Sequence, residues 1–176
     1  MIYFIRHGQS QANAANVFSG PDSLLTDLGR QQAKIAGKKI MSDGLILDRI
    51  ISSTYGRAVD TAKIIAKEIN FNVNLIQYDH RLVEYNAGEL IGKTESGVTA
   101  QQVVDAKDAE NLTVLYNRVF SALKDIKLLP GNSLIVSHAG IGRMIEIIKN
   151  QMDPDDFYTI PAYKNAEVIE LDLLDD

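Results

Sequence analysis

The chain has 176 residues, of which 45% are hydrophobic, so it is long enough for one packed domain over 1–176 and short for two. The formal net charge of -5 argues against nucleic acid or an anionic membrane surface as a partner. No run approaches the ~18 apolar residues of a membrane span, and the absence of cysteine excludes a disulfide framework and fits a cytoplasmic protein.

The first half of the chain alternates between strand and helix patterns. Residues 1–5 are apolar on both faces, which predicts a buried central strand. Residues 9–24 are rich in Asn, Ser and Gly, and we interpret them as a loop. A helix is predicted from an N-cap at Thr26 to about residue 41. A short strand over 48–52 then leads into a helix over 55–70 with one apolar stripe.

The second half continues the alternation around one irregular stretch. The remaining predicted elements are strands over 73–76, 134–136 and 168–173 and helices over 111–126 and 141–149. Residues 77–110 contain three glycines that break any long element, and we interpret them as a short lid insertion. Strands alternating with helices predict a three-layer α/β/α domain with a mostly parallel central sheet.

Two predicted strands, and the helix that follows a third, present residues suited to binding an anion. Arg6 and His7 follow the first strand, His138 follows the strand over 134–136, and Arg57 opens the helix after 48–52. Ligands bind at the carboxyl ends of the strands in such sheets, Arg clamps phosphate oxygens, and helix N-termini favour anions. Gly8 is expected to allow a phosphate to approach the backbone closely. A single such Arg or His more often has a structural role, but the convergence favours a phosphate site.

Neutral donors and one acid complete the candidate site. Gln9, Ser10 and Asn13 lie in the loop that would wrap a bound oxyanion. A carboxylic acid beside the pocket would protonate a leaving oxygen. Glu84 is the candidate, although spacing alone does not separate it from Glu89 or Asp79. No metal-binding motif is visible, so the sequence calls for no metal and no other cofactor.

Together these motifs resemble the histidine phosphatase superfamily, in the branch that includes cofactor-dependent phosphoglycerate mutases and small phosphatases. The resemblance covers nearly the whole chain and implies a single domain with a phosphoglycerate mutase-like fold. It is carried by Ile5-Arg6-His7-Gly8-Gln9-Ser10, Asn13, Gly20-Pro21-Asp22, Leu25-Thr26, Gly29, Gln32-Ala33, Ser52-Ser53, Arg57-Ala58, Thr61-Ala62, Leu82, Glu84, Gly88, Gly92, Glu110, Arg118, Val136-Ser137-His138-Ala139-Gly140 and Asn165-Ala166.

The resemblance also implies a role for each candidate residue. His7 would be the nucleophile that forms a phosphohistidine, and Glu84 would protonate the leaving alcohol and then activate water. The residues implied to hold or border the phosphoryl group are Arg6, Arg57, His138 and Asn13. The remaining candidates for the substrate pocket are Gln9, Ser10 and Ala139. Since two Arg and one imidazolium can stabilise the charge, a metal-independent reaction is expected.

Three functions remain open at this point. The short lid would leave a phosphohistidine open to water, which favours a phosphatase acting on a small phosphorylated metabolite. Ser10, Asn13 and Asn16 are mutase-like and keep a phosphoglycerate mutase as the alternative. A non-catalytic phosphate-binding module is the third possibility, against which His7 and Glu84 both argue. The sequence predicts neither the particular ester nor the oligomeric state.

Overall fold

The computed structural model describes residues 1–172, which form one sheet flanked by helices. The sheet runs in the order β3-β2-β4-β1-β5. Strands β1 to β4 are parallel, and β5 pairs antiparallel with β1. The strands are β1 (Ile2–Arg6), β2 (Arg49–Ser52), β3 (Gln77–Tyr78), β4 (Ser133–Ser137) and β5 (Val168–Leu171).

Six α-helices accompany the sheet in the described part of the chain. They are α1 (Gln11–Ala15), α2 (Asp27–Ser42), α3 (Gly56–Glu68), α4 (Ala100–Val104), α5 (Leu112–Lys127) and α6 (Ala139–Lys149). Each strand sends alternate side chains to opposite faces of the sheet. Tyr3 and Ile5 of β1 therefore pack with α2 and α3, whereas Ile2 and Phe4 pack with α5 and α6. This arrangement confirms the predicted three-layer α/β/α domain.

The register of the parallel strands aligns their carboxyl ends. Arg6 of β1 lies opposite Ser137 of β4, and the His7 N–H donates to the Ser137 carbonyl at 2.9 Å. The Ser53 N–H donates to the Val136 carbonyl at 2.9 Å, which aligns the end of β2 with the same edge. The residues that follow β1, β2 and β4 consequently meet at one place.

The four predicted long helices are confirmed to within about two residues at their ends. The strands predicted over 1–5, 48–52 and 134–136 correspond to β1, β2 and β4. The last predicted strand begins at residue 168 as expected, and its predicted end at Leu173 lies outside the described residues. No helix within residues 1–172 has the length and apolar character needed to cross a bilayer.

Two local predictions are wrong. Residues 9–24 are not all loop, because the Ser10 hydroxyl and the Asn13 side chain form a capping box that starts α1. The strand predicted over 73–76 is instead a 3₁₀ turn at Val73–Leu75, where the Asn72 side chain accepts from the Asn74 N–H. The β-strand follows it at Gln77–Tyr78, and the 77–110 stretch also contains α4, begun by a capping box at Thr99.

Candidate active site

A cavity of about 190 Å³ opens at the carboxyl edge of β1 and β4. Five of the residues predicted from the sequence line it, namely Arg6, His7, Asn13, Glu84 and Ala139. The other lining residues are Phe18, Ser19, Tyr85, Ala87, Glu95, Gly140, Arg143, Phe157, Tyr158 and Ala162. Arg57 and His138 are fully buried and lie against His7 rather than on the cavity wall.

Two hydrogen bonds hold the imidazole of His7 in a single neutral tautomer. Its Nδ1 lies 2.7 Å from the Gly8 carbonyl oxygen, which can only accept, so Nδ1 carries the proton. Arg57 Nε donates to His7 Nε2 at 3.1 Å, so Nε2 presents its lone pair. Nε2, which lies beside Arg57, is therefore the ring nitrogen that carries a lone pair.

The surroundings of His7 keep it unprotonated at neutral pH. Burial lowers the pKa of His7 well below its usual 6.5, and the nearby Arg57 cation lowers that pKa further. The hydrogen bond to the Gly8 carbonyl acts in the opposite direction but is the weaker influence. A neutral imidazole is the form that nucleophilic attack requires.

Two arginines bring buried, incompletely satisfied donors to the site. Arg57 Nη1 donates to the Gly20 carbonyl at 2.8 Å, whereas its Nη2 has no partner within residues 1–172. Arg6 Nη1 donates to the Tyr163 carbonyl at 3.1 Å, and its buried Nε has no partner in the same range. Since unpaired buried donors are costly, these groups favour an anion in the cavity.

His138 faces the same place from the N-terminus of α6. Its Nε2 lies 2.7 Å from the Ser53 hydroxyl, and its buried Nδ1 has no partner among the described residues. The centroids of the His7 and His138 rings are 5.2 Å apart. Burial, and after it the cation of Arg57, lowers the pKa of His138 well below 6.5. A bound anion would offset that effect and favour the imidazolium.

Glu84 is the carboxylate that the fold brings to the cavity. Its Oε1 accepts from the backbone N–H groups of Gly140, at 2.8 Å, and Tyr85, at 3.0 Å. A Cβ on Gly140 would lie 2.5 Å from Glu84 Oε1, so only glycine permits this approach. Asp79 is instead bound by Arg81, and exposed Glu89 accepts from the Lys107 N–H.

Helix α5 holds the segment that carries Glu84 in place through Arg118. Arg118 donates to the carbonyls of Arg81 and Val83 at 2.6 and 2.8 Å. The same guanidinium forms a two-pronged ion pair with Glu110, at 2.6 and 2.8 Å. Arg118 therefore positions Glu84 without lining the cavity.

Of the three candidate site residues in the loop after β1, one lines the cavity and two make structural hydrogen bonds. Asn13 lines the cavity, and its Oδ1 accepts from the Ser10 N–H at 3.1 Å. The Ser10 hydroxyl caps α1, and the Gln9 side chain accepts from the Thr26 hydroxyl at 2.9 Å. The hydrogen bonds of Gln9 and Ser10 therefore serve the loop, and neither residue lies on the cavity wall.

Gly8 packs closely against α2. A Cβ at this position would collide with the backbone carbonyl of Gly29 in that helix. A Cβ on Gly29 would in turn collide with the Gln9 carbonyl. The missing side chain of Gly8 therefore serves backbone packing against α2.

Sequence reasoning did not find Glu95, Arg143 or the aromatic residues of the cavity. Glu95 lies in the lid, where no periodic pattern marks it. Arg143 follows Gly140 by three residues in α6 and so shares its helix face, a spacing that offered a usable signal. Within residues 1–172, no group of three or more His, Cys, Asp or Glu side chains is arranged to hold a metal ion.

Comparison with known proteins agrees with this geometry. Residues 2–176 match the model of the histidine phosphatase superfamily, branch 1. A probable phosphoglycerate mutase, GpmB of Salmonella typhi, is 34% identical over 160 residues, covering 84% of this chain and 74% of the relative.

Solved structures share the fold. YhfR of Bacillus stearothermophilus superimposes with a TM-score of 0.79 and 26% identity, covering 97% of this chain and 91% of that one. A mycobacterial glucosyl-3-phosphoglycerate phosphatase superimposes with a TM-score of 0.76 and 22% identity, covering 95% and 90%. The match along the chain and the shared fold lead to one conclusion: the chain belongs to the histidine phosphatase superfamily.

Proposed function

We propose that this chain is a metal-independent phosphomonoester hydrolase that acts through a phosphohistidine on His7. Membership of the superfamily supports an enzyme that acts on phosphate esters. The observation that carries the finer proposal is the His7 Nε2 lone pair, which accepts from Arg57 at the edge of the cavity and lies among buried donors that have no partner within residues 1–172. Those donors belong to Arg6, Arg57 and His138.

In the first step, His7 Nε2 attacks phosphorus and the bond from phosphorus to the ester oxygen breaks. Glu84 gives its proton to the departing oxygen, so the product leaves as an alcohol. The positive charge that develops on the imidazole is stabilised through its Nδ1–H, which donates to the Gly8 carbonyl. Arg57 must release His7 Nε2 for this attack, and its guanidinium is then free to hold phosphoryl oxygens.

In the second step, water attacks the phosphohistidine. Glu84 takes a proton from the water, the bond from phosphorus to His7 Nε2 breaks, and inorganic phosphate is released. Asn13 borders the bound group, and its amide is held near His7 through Asn165, whose Nδ2 donates to the His7 carbonyl at 2.8 Å. The cycle returns His7 to its neutral form.

A phosphoglycerate mutase is the second candidate, and one observation favours it. The curated relative at 34% identity carries the name of a probable phosphoglycerate mutase. The two activities differ in the fate of the phosphohistidine, which a mutase returns to a bound phosphoglycerate and a phosphatase loses to water. Of the two activities we propose the phosphatase, acting on a small phosphorylated metabolite in the cytoplasm. The acidic net charge of -5 supports a protein without a nucleic acid or membrane partner.

The deciding experiment measures phosphate release from p-nitrophenyl phosphate and conversion of 3-phosphoglycerate to 2-phosphoglycerate. The wild-type chain should release phosphate, and His7→Ala should lower kcat/KM about a thousandfold or more. His80→Ala is the matched control, since His80 is exposed and outside the cavity, and it should retain activity. Wild-type enzyme quenched in alkaline detergent, where the phosphorus–nitrogen bond survives, should carry a phosphohistidine that His7→Ala lacks.

Other outcomes would reject the proposal. Conversion of 3-phosphoglycerate with little phosphate release would establish the mutase instead. Binding of vanadate with neither activity would indicate a phosphate-binding module. Substantial turnover by His7→Ala would remove His7 from the role of nucleophile.

A further inference from the structure

Two charged side chains in the cavity have no part in the reaction described above. Arg143 and Glu95 both line it, together with the proposed catalytic residues. Arg6, Arg57 and His138 suffice for the charge of a phosphoryl group. One cation and one carboxylate are therefore left over for the rest of the substrate.

Arg143 lies on the side where the leaving group must be. Glu84, which protonates the leaving oxygen, accepts from the N–H of Gly140 at 2.8 Å. Arg143 is three residues further along α6 and lies on the same helix face. A leaving group whose oxygen contacts Glu84 therefore extends towards Arg143.

The guanidinium of Arg143 is held in a way that leaves its donors available. Its central carbon lies 5.8 Å from the ring centroids of Phe157 and Tyr158. Its buried Nε has no hydrogen-bond partner within residues 1–172. An arginine held by aromatic rings keeps its planar fork of N–H groups for an anion, and a carboxylate matches that fork with two hydrogen bonds.

Glu95 reaches the same cavity from the lid. Its backbone N–H donates to the Asn16 carbonyl at 3.0 Å, and Thr94 pairs with Val17, so the lid is fastened to the loop after β1. Partial burial raises the pKa of Glu95, while the cations of Arg6 and Arg143 oppose that shift. A cation placed beside Glu95 would stabilise its charged form.

The size of the cavity limits what accompanies the phosphate. About 190 Å³ is smaller than the roughly 300–1,000 Å³ of sites for drug-sized ligands. A leaving group that fits inside this cavity is therefore a few atoms long. A short group that satisfies one cation and one carboxylate carries both a carboxylate and an ammonium.

We propose that the substrates are phosphate monoesters of small hydroxy amino acids, with Arg143 binding the carboxylate and Glu95 the ammonium of the leaving group. This inference rests on the proposed function and adds the substrate class. Both residues bind the leaving group and leave the attack on phosphorus to His7 and Glu84. They are specificity-determining residues.

The test compares four esters whose leaving groups carry both charged groups, one of them, or neither. O-Phospho-L-serine carries both groups, 3-phosphoglycerate lacks the ammonium, phosphoethanolamine lacks the carboxylate, and p-nitrophenyl phosphate lacks both. Wild-type kcat/KM should be about tenfold or more higher for phosphoserine than for either single-charge ester. Equal values for these three esters, or a preference for 3-phosphoglycerate, would overturn the inference.

Variants of Arg143 and Glu95 test whether these two residues cause the preference for phosphoserine. Arg143→Gln should lower the phosphoserine-to-phosphoethanolamine ratio of kcat/KM about 10- to 100-fold, and Arg143→Lys should lower it less. Glu95→Gln should lower the phosphoserine-to-3-phosphoglycerate ratio by a similar factor. Arg30→Gln, at an exposed position on α2, is the control and should leave both ratios unchanged. A purely structural role for Arg143 would lower all four activities together and leave the ratios as they were.

Failure of this inference is separable from failure of the proposed function. Turnover of p-nitrophenyl phosphate with no preference among the charged esters rejects only the substrate class. No turnover of any ester rejects the proposed function. Calorimetric binding of O-phospho-L-serine to His7→Ala, with and without Arg143→Gln, then tests the carboxylate contact directly, and equal affinities would reject it.

Discussion

At the scale of single residues, two neighbours fix the tautomer of the His7 ring. The Gly8 carbonyl holds Nδ1, and Arg57 reaches Nε2 from the first turn of α3. Arg57 is fully buried in a position where a helix dipole disfavours a cation. A bound phosphoryl group would offset that unfavourable placement, which supports the proposed anion site.

The role of Glu84 as proton donor is tested by changing the leaving group. Glu84→Gln should lower kcat/KM for an alkyl phosphate such as glycerol 3-phosphate by about a hundredfold or more. The loss with p-nitrophenyl phosphate should be less than about tenfold, because nitrophenolate leaves without a proton. Glu89→Gln is the matched control, since Glu89 is exposed and lies outside the cavity. Equal losses on both esters would contradict the assigned role.

The predicted site residues were found because they follow strands or open helices, positions that the sequence reveals. Glu84 was not separable from Asp79 and Glu89, since the choice depends on the N-terminus of α6 meeting a distant loop. Arg143 and Glu95 were missed for the same reason: only the folded chain shows which lid and helix residues face the cavity. The local sequence pattern predicts where strands end, but it does not predict which loops contact each other.

At the scale of elements, α5 acts as the support of the Glu84 segment. Arg118 is largely buried and contacts Glu110 together with the carbonyls of residues 81 and 83. The Ser137 hydroxyl donates to the Leu82 carbonyl at 2.6 Å from the other side. The segment is thereby fixed between α5 and the end of β4.

Replacing Arg118 should affect both stability and the proton-donor step. Arg118→Lys keeps a positive charge but cannot pair with Glu110 and both carbonyls at once, so unfolding free energy should fall by about 2–4 kcal/mol. The activity loss should be larger for glycerol 3-phosphate than for p-nitrophenyl phosphate, since Glu84 is displaced. Denaturant unfolding and steady-state kinetics measure the two effects, with Arg30→Lys as the exposed control. A loss of stability with no difference between the esters would leave Arg118 a purely structural residue.

The layers of the fold followed from the sequence because burial on both faces of β1 and β4 makes their apolar runs continuous. The sequence pattern did not predict the short elements. Helix α1 depends on the Ser10 capping box, and the turn at residues 73–75 depends on the Asn72 side chain, which accepts from the Asn74 N–H. Such local polar contacts leave little trace in a hydrophobic pattern.

At the scale of the whole molecule, two fully buried neutral imidazoles couple folding to pH. The unfolded chain protonates His7 and His138 near pH 6.5, whereas burial and Arg57 hold the folded-state pKa of both well below that value. Below pH 6.5 the unfolded state therefore binds more protons than the folded state. Stability is retained at neutral pH and is lost as the pH falls.

Thermal unfolding between pH 7.5 and 5 checks this coupling. The Tm should fall as the pH drops below about 6.5, and inorganic phosphate should make the decline shallower by favouring the His138 imidazolium. His138→Asn should flatten the profile, while the exposed His80→Asn should leave it unchanged. A Tm independent of pH over this range, with both histidines intact, would contradict the buried neutral state.

The contact between Gly8 and Gly29 has one further consequence. The carbonyl that orients the His7 ring belongs to Gly8, and Gly8 is pressed against the backbone of α2. A methyl group at either glycine would meet main chain rather than a movable side chain, so neither change can be repaired by repacking. The tautomer of the proposed nucleophile therefore depends on the position of a helix outside the pocket, and a shift of that helix would reorient the His7 ring through a single peptide unit.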